Sequence, residues 1–508
     1  MLAKVNSVAV NGLEAREVEV EVDLAAGLPM FAVVGLPDPT VRESRERVRS
    51  ALRNSGFTFP QRRVTVNLAP ADLRKEGAGF DLPIAMGILA AEGMIPLEVL
   101  DQFVMIGELS LEGGIKPVHG VLSMALFFKD RPIKGFLVPS DNGAEAAVVD
   151  GVTIYPAMTL PQVIEFLNGR EALTPVKRPP PSSEAAAVVL PNFADVRGQQ
   201  HAKRALEVAA AGGHNILLIG PPGSGKTMLA QRLPGILPAM TRHEAIESTR
   251  IHSGAGILPR DQPLLTVRPF RAPHHSISDA GLIGGGATPR PGEISLAHNG
   301  VLFLDELPEY RRNVLEGLRQ PLEEGTISIT RASASLTYPA RVMLVAAMNP
   351  CPCGFLGDRV RPCVCSATQI QRYRAKVSGP LMDRLDLHIE VPAVPFRDLA
   401  TEEGGEASEM IRQRVFAARS IQTLRYQESP THCNAQLRPG QLRKYCRLDV
   451  SGRALIEQAV RRLGLSARAY MRILKIARTI ADLHGSDGID AAHVAEAVQY
   501  RSLDRPPL

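Results

Sequence analysis

The stretch Gly220-Pro221-Pro222-Gly223-Ser224-Gly225-Lys226-Thr227 constrains this chain more than any other. It fits the pattern G-x-x-x-x-G-K-[ST], and its flanks come in the order that the pattern needs. The apolar run Ile216-Leu217-Leu218-Ile219 leads in and predicts a buried strand. Met228-Leu229-Ala230-Gln231-Arg232-Leu233 leads out and predicts a helix. The glycines between them let backbone N–H groups close around phosphate oxygens, and the helix adds its positive end. In such a loop Lys226 reaches the terminal phosphates and Thr227 holds Mg²⁺.

Two further apolar runs end in polar groups. Val301-Leu302-Phe303-Leu304 runs into Asp305-Glu306, and Val342-Met343-Leu344-Val345-Ala346-Ala347-Met348 runs into Asn349. With 216–219, these runs fit a parallel sheet buried on both faces, which collects the polar ends at its carboxyl edge beside the phosphate loop. Asp305 is then expected in the Mg²⁺ shell, Glu306 as the group that polarises the attacking water, and Asn349 as a group that orients it. Taken singly, an acidic turn after a strand, or an Asn before Pro350, is an ordinary solvated turn. Two arginines are candidates for the transferred phosphate. Arg384, in Leu381-Met382-Asp383-Arg384-Leu385-Asp386, is expected to act across a subunit boundary. Arg468, in preference to Arg472, is expected to reach the phosphate from a helix opened by Ser466.

At 508 residues the chain is too long for one core. Residues 1–170 read as an α+β domain. Val18, Val20, Val22 and Leu24 alternate with acidic residues, Val64, Val66 and Leu68 repeat the pattern, and helices are expected over Pro39–Leu52 and from Leu82. Residues 171–190 are a Pro-rich linker, where proline removes donors and fixes φ. Residues 191–400 carry the nucleotide-binding core, and 401–508 are helical by pattern, with Leu455, Ala459, Leu463, Ile473, Ile476, Ala477 and Ile480 at helical spacing. The net charge of +5 implies no polyanion partner by itself. No apolar window reaches membrane-spanning length and no secretory leader opens the chain, so a cytoplasmic location is expected.

Four of the six cysteines crowd into Cys351-x-Cys353 and Cys363-x-Cys365. Four thiolates suit tetrahedral Zn²⁺. Unligated or redox-sensitive thiols are the alternative, and His388 is a competing ligand. Cys433 and Cys446 are isolated and receive no role.

The order of phosphate loop, Asp-Glu strand, Asn strand, Leu-Met-Asp-Arg and helical lid resembles that of an AAA+ ATPase. Phe193-Ala194-Asp195-Val196-Arg197-Gly198-Gln199 is similar to the box that flanks the adenine in that superfamily, which implicates Val196 and Gly198 in nucleotide binding. Lys226 and Asp305 stand 79 residues apart, which is long for the group. The extra length holds Arg268-Pro269-Phe270-Arg271-Ala272-Pro273-His274-His275-Ser276 and Gly281-Leu282-Ile283-Gly284-Gly285-Gly286, similar to the helix-interrupting insert of the magnesium-chelatase-like clade. With Pro291-Gly292-Glu293-Ile294-Ser295-Leu296-Ala297-His298 and Asn349-Pro350-Cys351-Pro352-Cys353-Gly354, the chain resembles the YifB/ComM family over essentially its whole length. That resemblance implies ATP and Mg²⁺ as cofactors, a homo-oligomeric, hexameric ring, and ATP-driven branch migration on single-stranded and branched DNA during homologous recombination and natural transformation.

The first domain resembles the Lon-protease type. Lys75-Glu76-Gly77-Ala78-Gly79 carries Gly79 where that family has its nucleophile, and His119-Gly120-Val121-Leu122 carries Leu122 where it has its lysine. A Ser–Lys mechanism needs both groups, so no proteolysis is expected. For DNA, two surfaces are candidates. One is a hairpin of Thr326–Arg331 and Leu336–Val345 with Arg331-Ala332-Ser333-Ala334-Ser335 at its tip, and the other is Arg268, Arg271, His274 and His275 on the insert. Two other functions share the core: the motor subunit of a metal chelatase, and an ATP-gated regulatory scaffold.

Overall fold

Alternation organises the first sheet. In the strand Glu14–Ala25, Val18, Val20, Val22 and Leu24 are all at most 5% exposed, because period two sends alternate side chains to one face. The strand Arg63–Ala69 buries Val64, Val66 and Leu68 in the same way. These strands belong to a seven-stranded mixed sheet in the order Met30–Val34, Arg63–Ala69, Glu14–Ala25, Leu2–Asn11, Phe103–Met105, Gly135–Pro139, Ile154–Ala157. The helix Pro39–Asn54 starts at the Asp38 cap, whose carboxylate accepts from Val41 N–H at 2.7 Å. It buries Val41, Val48 and Leu52, the residues read from the sequence. The helix Asp81–Ala91 is buried along its whole length and lies on the two long N-terminal strands, as a helix apolar all round must.

The structure is a computed structural model that describes residues 1–178, 190–286, 289–331, 334–358, 361–395, 404–429 and 431–501. Most of the expected Pro-rich linker, 179–189, lies outside these residues. The chain divides into two compact units, Met1–Ala186 with Ala245–Leu265, and Ala187–Glu244 with Thr266–Leu508. Residues 245–265 thus pack with the first unit, although they fall within the 191–400 stretch of the sequence. The reason is local. Arg250 donates to Leu13 O at 2.7 Å, Ser253 Oγ donates to the buried Glu145 carboxylate, and Gly120 N–H donates to Ser253 O at 3.3 Å. Glu145 also accepts from Leu122 N–H at 2.9 Å. The segment therefore closes over Gly120–Leu122, the stretch that resembles the lysine segment of a peptidase. Leu122 is fully buried, and Gly79 is packed against Ile106.

The second unit is built on a five-stranded, all-parallel sheet in the order Phe270–Arg271, Val301–Leu304, Met343–Met348, Ile216–Ile219, Leu387–Glu390. Its three central strands are apolar throughout and fully buried, as strands of a parallel sheet covered on both faces are. The helix Ala467–Leu483 is capped by Ser466, which accepts from Ala469 N–H, and it buries Ile473, Ile476, Ala477 and Ile480. These side chains join one core with Ile216, Leu218 and Val345. The 401–508 helices are therefore packed into the nucleotide-binding unit. Cys433 and Cys446 are buried in this unit. Among the described residues, no helix is long and apolar enough to cross a membrane.

A polar clamp fixes the end of the sheet. Asp386 is buried, lies 3.4 Å from His214 Nδ1, accepts from Asn215 N–H at 3.1 Å, and pairs with Arg472 of the helix Ala467–Leu483. Burial alone would push the Asp386 carboxyl up, but Arg472 and His214 outweigh it and hold the group far below the carboxylate range. A carboxylate depressed in this way adds stability that is complete above its unfolded value near 4 and is lost as pH falls through its folded value. Asp386→Asn is expected to cost about 3 kcal/mol at neutral pH, with the deficit shrinking in acid. Urea melts at pH 7 and at about pH 2, well below the unfolded value, check this, and equal deficits at both would contradict it.

Candidate nucleotide site

Three parallel strands deliver the site. The strand Ile216–Ile219 ends in the phosphate loop, Val301–Leu304 ends in Asp305-Glu306, and Met343–Met348 ends in Asn349. Their adjacency in the sheet brings these polar ends together at one edge, the edge where open α/β sheets bind ligands. Gly223 and Gly225 stand at φ +77° and +89°, the left-handed region that a Cβ disfavours. That conformation turns successive N–H groups inward, and the helix Lys226–Arg232 starts directly after it.

Lys226 is largely buried, and its ammonium donates to Gly220 O at 2.8 Å, Pro221 O at 2.9 Å and Asn349 Oδ1 at 3.3 Å. Burial lowers its proton affinity, against the opposing charges of Asp305 and Glu306. Thr227 Oγ1 donates to Asp305 Oδ2 at 2.6 Å. That separation is close to the edge of about 2.9 Å between neighbouring ligands in an octahedral Mg²⁺ shell, so this donor pair fits the ion. Glu306 sits at φ +52°, its N–H satisfied by Asp305 Oδ1 at 2.9 Å. The turn sends its carboxylate away from Asp305 toward His275, whose Nδ1 is 3.2 Å away. His275 is thus a site residue on which the sequence was misleading, because there it reads as part of a basic surface patch.

The box at 193–199 joins the loop as well. Val196 is buried, its carbonyl accepting from Lys203 Nζ, and Gln199 at φ +54° donates to Pro392 O at 2.6 Å and to Ser224 O at 3.4 Å. Gly198 lies in the same turn at φ +61°. Pro221, Pro222 and Ser224 complete the loop, with Ser224 buried. On the other side of Asn349, a cavity of about 390 Å³ is lined by Glu306, Asn349, Gln369, Arg372, Tyr373 and Lys376. The helix Ala367–Arg374 supplies Gln369, Arg372 and Tyr373, residues that carry no motif in the sequence.

The two expected arginines stand apart from the phosphate loop's own bonds. Arg384 is nearly covered, donating to Pro380 O at 2.5 Å and pairing with Glu323. Arg468 is exposed and pairs with Asp383 at 3.1 Å. Arg319, Arg468 and Arg472 all raise the positive potential around Arg384.

The four clustered cysteines converge, with every pair of sulfurs within 4.8 Å. Backbone N–H groups of Phe355 and Val364 pull the Cys353 thiol down to about 6. His388 takes no part in this cluster. It lies on the sheet strand Leu387–Glu390, where burial and Arg501 hold its imidazole neutral with a value of about 3.

Two expectations for DNA contact change. Arg268 is tied to Glu244 at 3.1 Å and to the carbonyls of Pro238 and Asn299, and Arg271 is tied to Glu293 at 2.5 and 2.6 Å. These guanidiniums hold the insert together, so they do not form an open basic patch. His274 meets Ser276 Oγ at 2.8 Å. The hairpin is present as Thr326–Arg331 paired with Ala334–Pro339, but its second arm ends at Pro339. Residues from Met343 onward enter the parallel sheet because they are apolar without alternation. Ala332 and Ser333 of the expected tip lie outside the described residues.

Three family models match in sequence order. They are the ChlI subunit of Mg-chelatase over residues 20–142, "Magnesium chelatase, subunit ChlI" over 192–399, and its C-terminal region over 405–501. The chain is 48% identical to competence protein ComM of Haemophilus influenzae, covering 99% of this chain and 98% of the relative. It is 46% identical to protein YifB of Escherichia coli over the same shares of the two chains. A more distant similarity, 23% over 57% of this chain and 32% of the relative, links it to the maternal DNA replication licensing factor mcm6 of Xenopus tropicalis.

Proposed function

The chain belongs to the YifB/ComM family of magnesium-chelatase-like AAA+ ATPases, and from that premise we propose that it is a Mg²⁺-dependent ATP-hydrolysing motor on DNA. The observation that carries the ATPase reading is the convergence of Lys226, Thr227, Asp305, Glu306 and Asn349 at one edge of a parallel sheet. Phosphoryl transfer asks for little covalent chemistry from a protein and much electrostatics. Lys226 exchanges its carbonyl partners for phosphate oxygens, and Thr227 with Asp305 holds the ion. Mg²⁺, when bound, neutralises charge on the phosphates. Glu306 takes the proton of the attacking water, and Asn349 holds that water in line. The His275–Glu306 pair is partly exposed and worth under about 1 kcal/mol, so rotation of Glu306 toward the nucleotide is an accessible motion.

The names of the relatives, one a competence protein and one a DNA replication licensing factor, support DNA as the substrate. In this reading six copies form a ring in the cytoplasm. Arg384 and Arg468 of one copy then face the nucleotide of the next, and the hairpin tips meet the phosphate backbone. Hydrolysis drives branch migration of single-stranded and branched DNA during recombination in natural transformation.

The test is ATP hydrolysis with no DNA and with single-stranded, duplex and branched DNA, at two salt concentrations. Turnover should rise with branched DNA, and DNA affinity should fall steeply with salt, because phosphate contacts release counterions. Turnover indifferent to every DNA would overturn the DNA reading. The family models named for a magnesium-chelatase subunit support a second reading, a chelatase motor. Stimulation by a tetrapyrrole-binding partner and not by DNA would select it.

A further inference from the structure

The loop after Asn349 does more than end a strand. Cys351 Sγ lies 3.4 Å from Cys353 Sγ and 3.6 Å from Cys363 Sγ, and Cys353 Sγ lies 3.6 Å from Cys363 Sγ. Cys365 completes the group within 4.8 Å. A tetrahedral ion with Zn–S bonds of about 2.3 Å separates its ligand sulfurs by about 3.8 Å. The three sulfurs of Cys351, Cys353 and Cys363 stand near that value from one another and the fourth stays within 4.8 Å of them all, so the four form one centre. They do not divide into two pairs, as disulfide-forming thiols would. Backbone N–H groups of Cys353 and Cys365 point at the sulfurs of Cys365 and Cys363, both at 3.4 Å. Such donors offset thiolate charge at a metal site.

The cluster is also wedged against the nucleotide site. Cys351 follows Asn349 by two residues, and Asn349 Oδ1 is held by Lys226. Gly354 packs so tightly on the phosphate loop that an added Cβ would sit 2.6 Å from Pro222 Cδ, and its φ of +85° already disfavours one. On the other side, Ser366 follows Cys365 directly and caps the helix Ala367–Arg374, which carries Arg372 into the cavity beside Glu306. Arg374 of that helix donates back to Pro350 O at 3.3 Å. The four sulfurs thus sit at the root of Asn349, of the turn against Pro222, and of the helix bearing Arg372.

We propose that Cys351, Cys353, Cys363 and Cys365 bind one zinc ion, and that this ion positions Asn349 and the helix Ala367–Arg374 against the phosphate loop. The first half stands on the sulfur geometry alone, and the second rests on the ATPase reading above. The cysteines do not touch nucleotide; they act through Asn349 and Pro222.

The experiment measures metal content and thiol reactivity on the full chain without nucleotide, then nucleotide affinity and turnover. Elemental analysis should find about one zinc per chain, released by an organomercurial that titrates the thiols. Cobalt replacement should give the visible absorption of a tetrahedral thiolate site. Cys363→Ser/Cys365→Ser should lose the metal. The metal-stripped wild type should lose about tenfold or more in turnover, by analogy with the loss of supporting contacts at metal sites, and recover on zinc readdition. Gly354→Ala should retain the zinc while weakening nucleotide binding, which separates the wedge from the metal. Wild-type chain that holds no zinc after purification and zinc incubation would overturn the site, whatever its ATPase activity. Full turnover in stripped chain would overturn the positioning role. An inactive chain that still holds zinc and recovers nothing on any metal would count against the ATPase reading and leave the metal centre standing.

Discussion

Lys226→Ala abolishes ATP hydrolysis, with turnover falling by about 10²–10³-fold, the cost of removing one preorganised cation from a developing charge. The structure makes the loss specific. The ammonium is held by two loop carbonyls and by Asn349 Oδ1, so it is already aimed into the loop and needs little reorganisation to meet a phosphate. Without it, Asn349 also loses the donor that holds its side chain. Folding should survive, because the carbonyls of Gly220 and Pro221 border a loop that water can enter and the strand behind it keeps its apolar core. Hydrolysis is measured at saturating ATP, with circular dichroism as the folding control. A folded Lys226→Ala chain with wild-type turnover would remove this residue from the mechanism, and with it the assignment of the site.

Arg384→Ala has the largest expected effect, a loss of about 10³–10⁵ in turnover with nucleotide affinity little changed, if it completes a neighbour's site. Its setting complicates a simple substitution, because within one chain the guanidinium pairs with Glu323 and caps the Pro380 carbonyl. Glu323→Gln is the control, since it breaks the same pair and leaves the arginine in place. A mixing experiment then separates a role across a boundary from one within the chain. Arg384→Ala and Lys226→Ala chains are each inactive, yet in a random equal mixture about a quarter of head-to-tail junctions join an intact phosphate loop to an intact arginine. Recovered turnover in the mixture, above the sum of the two variants alone, is the expected result. No recovery, in a mixture shown to co-assemble, would assign Arg384 a purely structural place beside Asp386.

Much of the fold was readable from spacing. Period two marked Glu14–Ala25 and Arg63–Ala69, and the apolar runs marked the three central strands of the nucleotide-binding sheet. The Ser466 cap and the isoleucines that follow marked the helix Ala467–Leu483. Less was readable where a side chain's role depends on a distant partner. Arg268 and Arg271 read as a basic patch, because a sequence lists charges without the carboxylates that neutralise them; Glu244 and Glu293 do so here. His275 read as part of the same patch, but the turn at Glu306 brings that carboxylate to it. The second hairpin arm ran too far, since the expected Leu336–Val345 spans Pro339, where the hairpin strand ends, and the residues from Met343 serve a different sheet.

What the sequence determined by itself is chemistry within a few residues: the phosphate loop, the Asp-Glu and Asn strand ends, the two Cys-x-Cys pairs and the buried faces of helices. Those follow from bond geometry and from the periods of strand and helix, which are local. The tertiary structure alone decided the strand order that gathers the three polar ends, the packing of 245–265 on the first unit, the Asp386 clamp and the closure of four sulfurs on one point. Each of these joins groups far apart in the chain, and such pairings are selected by the burial of whole surfaces, which no short stretch of residues encodes.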